Sequence, residues 1–105
     1  MKLMTKAIKK QAEKQYELGS DMNQKVVAKY FNPAGKGTWY LMNTEPNSDY
    51  AWGIVDLFAV EMGSFRISEL ESINLPFGLG IERDLMFEPI KAKDVWDKLN
   101  RGERV

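Results

Sequence analysis

The chain contains no cysteine and no histidine. Without cysteine it has no disulfide, no thiolate metal site and no thiol nucleophile. Without histidine it lacks the usual general base at neutral pH and the commonest metal ligand. No apolar run approaches the ~20 residues of a membrane-spanning helix. The opening residues MKLMTKAIKKQAEK have no apolar core and no small-residue cleavage site, so they do not read as a signal peptide. The cytoplasm is the expected location. Neither a cofactor nor a membrane is expected.

What is present suits a single domain over residues 1–105. A chain this long buries a bit over ~60% of the surface its unfolded form exposes, so one core suffices. The apolar share of 44% and the charged share of 29% are ordinary for a folded chain and too apolar for disorder. Trp39, Trp52 and Trp96 are large core or interface candidates.

Net charge is zero but unevenly spread. Residues 1–30 hold seven Lys against three acids. Residues 45–88 hold nine acids against Arg66 and Arg83, a net of −7. Residues 89–105 hold five bases and three acids. The middle is acidic and both ends are basic.

Periodicity then sets the layout. Residues 5–18 read as a helix capped by Thr5, with Met4, Ile8, Ala12 and Leu18 on a thin apolar stripe. Residues 25–31 and 38–44 read as strands joined by a turn at 32–37, so 25–44 is a hairpin. Residues 50–62 are apolar on both faces, which predicts a central strand with a break or bulge. Gly63 is expected to turn the chain into a short strand at 64–67. Residues 68–73 read as a short helix capped by Ser68. Residues 75–80 form an apolar loop, and 85–87 a further strand. Residues 91–100 close as a helix with Val95, Trp96 and Leu99 inward. The expected class is α+β. An antiparallel sheet of about four to five strands is flanked by an N-terminal helix, a short middle helix and a C-terminal helix.

Three segments carry a family likeness. The first is Lys29-Tyr30-Phe31-Asn32-Pro33 with Thr38-Trp39-Tyr40. The second is Glu61-Met62-Gly63-Ser64-Phe65-Arg66-Ile67-Ser68-Glu69-Leu70. The third runs from Gly78-Leu79-Gly80-Ile81-Glu82-Arg83-Asp84 through Leu85-Met86-Phe87 to Glu88-Pro89. Together they resemble the bacterial family of unknown function DUF2958. The resemblance implies carriage on plasmids, integrative elements and phages. It supplies no activity, catalytic residue or cofactor. Asp56 interrupts a strand that is apolar in the family pattern.

Several groups stand out as candidate sites. On an extended strand Glu82, Asp84 and Glu88 share a face. Three carboxylates there suit a divalent cation or an acid/base pair. The plainer reading is an Arg-carboxylate network around Arg83. Asp56 inside an apolar run is a structural ion pair, with Arg66 as the candidate partner, or a residue at a bulge facing solvent, or a carboxyl whose pKa burial raises. Residues 32–38 have a superficial likeness to a phosphate loop, but they lack the spacing and the following helix. The stripe Lys6, Lys10 and Lys14, with Lys2 and Lys9, suits either phosphates or solvent. Glu61, Glu69, Glu71, Glu82, Asp84 and Glu88 are candidates for an acidic contact surface. Phe77 in the apolar loop is a candidate anchor, the plainer reading being that this loop folds over the end of the core.

The leading expectation is a non-enzymatic protein-interaction domain of a mobile element or phage. It would use its acidic surface on a partner with a basic surface, as a counter-defence inhibitor does. The alternatives are a carboxylate and divalent-metal enzyme, or nucleic-acid binding through the N-terminal lysines.

Overall fold

The computed structural model describes residues 2–105. Thr5 starts helix α1 (Lys6–Lys14), its Oγ1 accepting from the Ile8 amide at 3.1 Å. The helix stops earlier than the periodicity suggests. A 3₁₀ turn at Tyr16–Leu18 follows and ends at Gly19, whose φ of 54° suits glycine.

Strand β1 (Lys25–Val26) is parted from β2 (Ala28–Phe31) at Val27. The anticipated single strand is therefore two. Val27 still donates to the Leu41 carbonyl at 2.8 Å, so the chain bends without leaving the sheet. Residues 32–37 make the expected hairpin turn, with Asn32 donating to the Gly37 carbonyl and its Oδ1 taking the Ala34 amide. Strand β3 (Thr38–Thr44) returns from it.

The run at 50–62 is not one strand. Strand β4 (Tyr50–Asp56) turns at residues 57–59 into β5 (Val60–Arg66), and Gly63 lies inside β5 rather than at a turn. Asp56 closes this hairpin opposite Val60 and is half-buried, so it is not a carboxylate in a buried strand centre. Helix α2 (Ile67–Ser72) follows directly. Ser68 does not cap it. Its amide and hydroxyl both donate to Asp49 Oδ2, and the Ile67 amide donates to the Asp49 carbonyl. A residue from the β3–β4 loop thus caps α2. These bonds from Ser68, helped by Arg66, hold the Asp49 carboxyl below the usual range.

Strand β6 covers only Glu82–Arg83. Residues 85–87 are not a strand, because Asp84 starts a turn by accepting the Met86 amide on its side chain and the Phe87 amide on its carbonyl. Strand β7 (Ile90–Lys91) leads into α3 (Ala92–Asn100).

The main sheet is antiparallel and ordered β5-β4-β3-β2-β6, while β1 and β7 pair beside it. Helices lie on both faces, which explains the two-sided apolar pattern. One core joins Ala12 of α1 and Ile67 and Leu70 of α2 to Tyr30, Trp39 and Leu41. The other joins Ala92 and Val95 of α3 to Tyr40, Met42 and Ile54.

The two central tyrosines carry a pH consequence. Burial raises the Tyr30 hydroxyl pKa well above normal, with Arg83 opposing and Glu71 adding. Burial, with Asp56 and Asp84, pushes Tyr40 up to about 12. In the unfolded chain both titrate near ~10. Their folded pKa values are higher, so the associated stability is intact below pH ~10 and is lost as pH rises through the folded values. Tyr40 alone accounts for about 2–3 kcal/mol by pH ~12. Denaturant titrations from pH 8 to pH 12 are expected to show a steep decline above ~10. Tyr40→Phe should make it shallower while the Tyr30 share remains, and an unchanged slope in that variant contradicts the assignment.

Candidate functional site

The candidate residues do not gather in one place. Glu61 lies exposed on β5 at one edge of the sheet, opposite Val55. Glu82 and Arg83 lie on β6 at the other edge, opposite Phe31 and Tyr30. Glu69 and Glu71 project from α2, and Glu88 is exposed before β7.

Several of them have structural partners. Glu71 Oε2 takes the Leu3 amide at 3.0 Å, and Arg83 Nη1 donates to the Lys2 carbonyl at 2.9 Å. Together they clasp residues 2–3, with Leu3 fully buried. Asp84 lies 3.7 Å from Lys29 Nζ, which also donates to the Val105 carbonyl oxygen at 2.6 Å. Arg83 therefore helps to anchor residues 2–3. Among the described residues, no three Asp or Glu side chains converge to hold a metal ion.

Phe77 is placed differently. It sits in the 3₁₀ turn at Pro76–Gly78 and is 98% exposed. Its φ is 63°, the left-handed region that costs a residue with a Cβ roughly 1–2 kcal/mol. The loop is closed beneath it, with Leu75 donating to the Leu79 carbonyl at 2.9 Å and Leu79 to the Pro76 carbonyl at 3.3 Å. Ile73 and Leu79 are exposed beside it in sequence. The loop at 75–80 does not fold its aromatic over the core, as the plainer reading of an apolar loop expects. Phe58, at the β4–β5 turn, is likewise 98% exposed.

Two clefts were not anticipated. The larger, about 680 Å³, is lined by Lys2, Lys6 and Lys9 with Asp49 and Glu71. Lys10 and Lys14 lie outside it, so the lysine stripe read from the helix period is split.

The second, about 400 Å³, is lined by Tyr16, Gly19, Ser20, Asn43, Glu45, Tyr50, Ala51 and Trp52. A buried amide network holds its walls together. Gln15 Nε2 donates to the carbonyls of Lys25 and Met42, at 2.9 and 2.7 Å. Asn43 Nδ2 donates to the Gly19 carbonyl and to Gln24 Oε1, at 2.8 and 2.9 Å. Gln24 Nε2 also binds the Gly19 carbonyl at 2.8 Å. This network fixes the 3₁₀ turn of Tyr16 against β3. Trp52 lies opposite Asn43 on β4, its indole N–H buried and without a hydrogen-bond partner among the described residues. Sequence reading named Trp52 only as a core or interface candidate and did not join it to Tyr16. The available signal was Gln11 and Gln15 beside the thin apolar stripe of the first helix.

The architecture is α+β, an antiparallel sheet with helices on both faces. The chain belongs to the family described as protein of unknown function (DUF2958), whose sequence profile matches residues 2–103. No curated protein and no solved structure matches it. Among the described residues, no helix is long and apolar enough to cross a membrane.

Proposed function

We propose that this chain is a non-enzymatic module that binds another protein, with Phe77 as its anchor. The observation that carries this reading is a large aromatic at 98% exposure on a left-handed backbone. Both features cost free energy in the isolated chain. Seating the ring in a partner's pocket recovers about 2–3 kcal/mol of apolar transfer. Such aromatic anchors dominate many interfaces. Glu69 is exposed on the neighbouring helix, and residues 45–88 are acidic overall. The partner's pocket is therefore rimmed by basic residues, and association weakens with salt.

The finer reading is an inhibitor carried by a mobile element or phage and aimed at a host defence protein. Its support is the acidic middle of the chain, since defence proteins that grip nucleic acid present basic surfaces.

The test compares wild type with Phe77→Gly and Phe77→Ser as baits in host lysate at low and moderate salt. A protein captured by wild type and lost from both variants is expected. Phe77→Gly should gain roughly 1 kcal/mol of stability from relief of the positive φ. Equal capture by all three baits, or no capture at either salt, contradicts the proposal.

A further inference from the structure

We propose that the cleft between Tyr16, Tyr50 and Trp52 receives an arginine side chain of the protein partner, with Glu45 pairing its guanidinium. This rests on the reading of the chain as a protein-binding module and names the chemistry of a second contact.

Three aromatic residues line one cleft, Tyr50 and Trp52 from β4 and Tyr16 from the 3₁₀ turn after α1. Tyr16 and Tyr50 keep 45% and 42% exposure. Aromatic faces carry negative electrostatic potential and attract cations. Glu45 adds a carboxylate at the rim. Among the described residues that carboxylate makes no hydrogen bond or ion pair. No Lys or Arg lines the cleft, in contrast to the lysine-lined one. An unpaired anion beside aromatic rings, with no Lys or Arg among the lining residues, is complementary to a positive guest.

The guest's form follows from geometry. Arg66 of the same chain already lies with its Cζ 5.1 Å from the centroid of the Tyr50 ring. Arg66 is not among the residues that line the cleft, so this contact shows that the Tyr50 ring accepts a guanidinium and leaves the cleft itself without one. A planar guanidinium stacks on rings while its N–H fork meets a carboxylate, which a compact ammonium does not do. A volume of about 400 Å³ admits one such side chain.

The experiment titrates N-acetylarginine N-methylamide into labelled full-length protein and follows NMR shifts. The buried Trp52 indole N–H is the reporter, read against those of Trp39 and Trp96. A saturable shift is expected at Trp52 and on the Tyr16 and Tyr50 rings, with Trp39 and Trp96 unmoved. The citrulline analogue keeps the shape and loses the charge, and it should give no shift. Glu45→Gln and Tyr16→Ala replace exposed residues and keep the fold. Each should weaken binding by about fivefold.

Absence of a saturable shift up to about 100 mM overturns the proposal. So does equal binding of citrulline, or of the blocked lysine analogue. Tighter binding of free arginine than of the blocked form also overturns it, because that marks a small-molecule site. The two contacts fail separately. A lost arginine shift leaves Phe77-dependent capture intact, and Phe77 variants leave the arginine shift intact.

Discussion

Gly53→Ala is expected to abolish folding or to cost more than about 4 kcal/mol. Gly53 lies in β4 opposite Leu41, just before the register shift that skips Met42. A Cβ there would press on the Tyr40 carbonyl oxygen, far inside the 3.0 Å that real Cβ atoms keep. That oxygen belongs to backbone in the middle of the sheet, so neither side can rotate away. Relief requires β3 and β4 to separate, and β3 carries core residues on both faces. The control is built into the molecule. Gly63 is the residue opposite Gly53 on β5, and nothing lies within 4 Å of the Cβ it would gain. Gly63→Ala should be neutral or stabilising by a few tenths of a kcal/mol, since alanine loses less backbone entropy in a strand. Denaturant unfolding of the two variants, read by tryptophan fluorescence, makes the comparison. Similar stabilities in both would refute the close approach of β3 and β4.

Local pattern reached as far as local physics decides structure. Asn32-Pro33 and Gly35-Lys36-Gly37 announced a turn, and the hairpin of β2 and β3 follows from it. Apolar residues on both faces of 50–62 announced two-sided cover, and helices lie on both sides of the sheet. The β4–β5 turn was hidden because Leu57-Phe58-Ala59 contains no turn former. An apolar turn does not look like punctuation. Pairing of Lys25 with Lys91 was equally hidden, since two-residue strands have no period to read. The cap of α2 was assigned to Ser68, the nearest suitable residue, whereas Asp49 reaches it from another loop.

The sites divide along the same line. Phe77 was legible as a candidate in an irregular loop punctuated by Pro76 and Gly78, but its exposure was not, since an apolar loop is expected to fold over the core. The acidic residues were legible by charge but not by position. Strand order places Glu61 and Glu82 on opposite edges of the sheet. The aromatic cleft joins residues 16, 45, 50 and 52, which only tertiary packing brings together.

Gln15 is the residue through which the cleft depends on the core, and its replacement is expected to have the second largest effect. It is buried, and its Nε2 supplies both hydrogens to backbone carbonyls of Lys25 and Met42. Its Oε1 accepts from Gln11 Nε2 at 2.9 Å. Met42 is the residue that the β3–β4 register skips, so its carbonyl depends on a side chain for a partner. Gln15→Leu leaves these acceptors unmet and should cost about 2–4 kcal/mol. Gln15→Glu keeps the shape but sets a carboxylate against two carbonyl oxygens. At pH 7 it should cost about 3–5 kcal/mol, the range for an uncompensated buried charge.

The Glu variant also carries a pH signature that Leu lacks. Burial and facing carbonyls raise the new carboxyl's folded pKa above its unfolded value of ~4.3. The protonated form is then favoured in the folded state, so the variant's deficit is smallest below pH ~4 and grows as pH rises through the folded pKa. A deficit of about 1 kcal/mol should remain at low pH, because the neutral acid supplies one hydrogen where the amide supplied two. Denaturant titrations of wild type and both variants between pH 4 and pH 8 separate these cases. The Leu deficit should stay flat and the Glu deficit should climb. Parallel curves would mean that the Gln15 amide does not donate to the carbonyls, and the packing of Tyr16 against β3 would need another explanation.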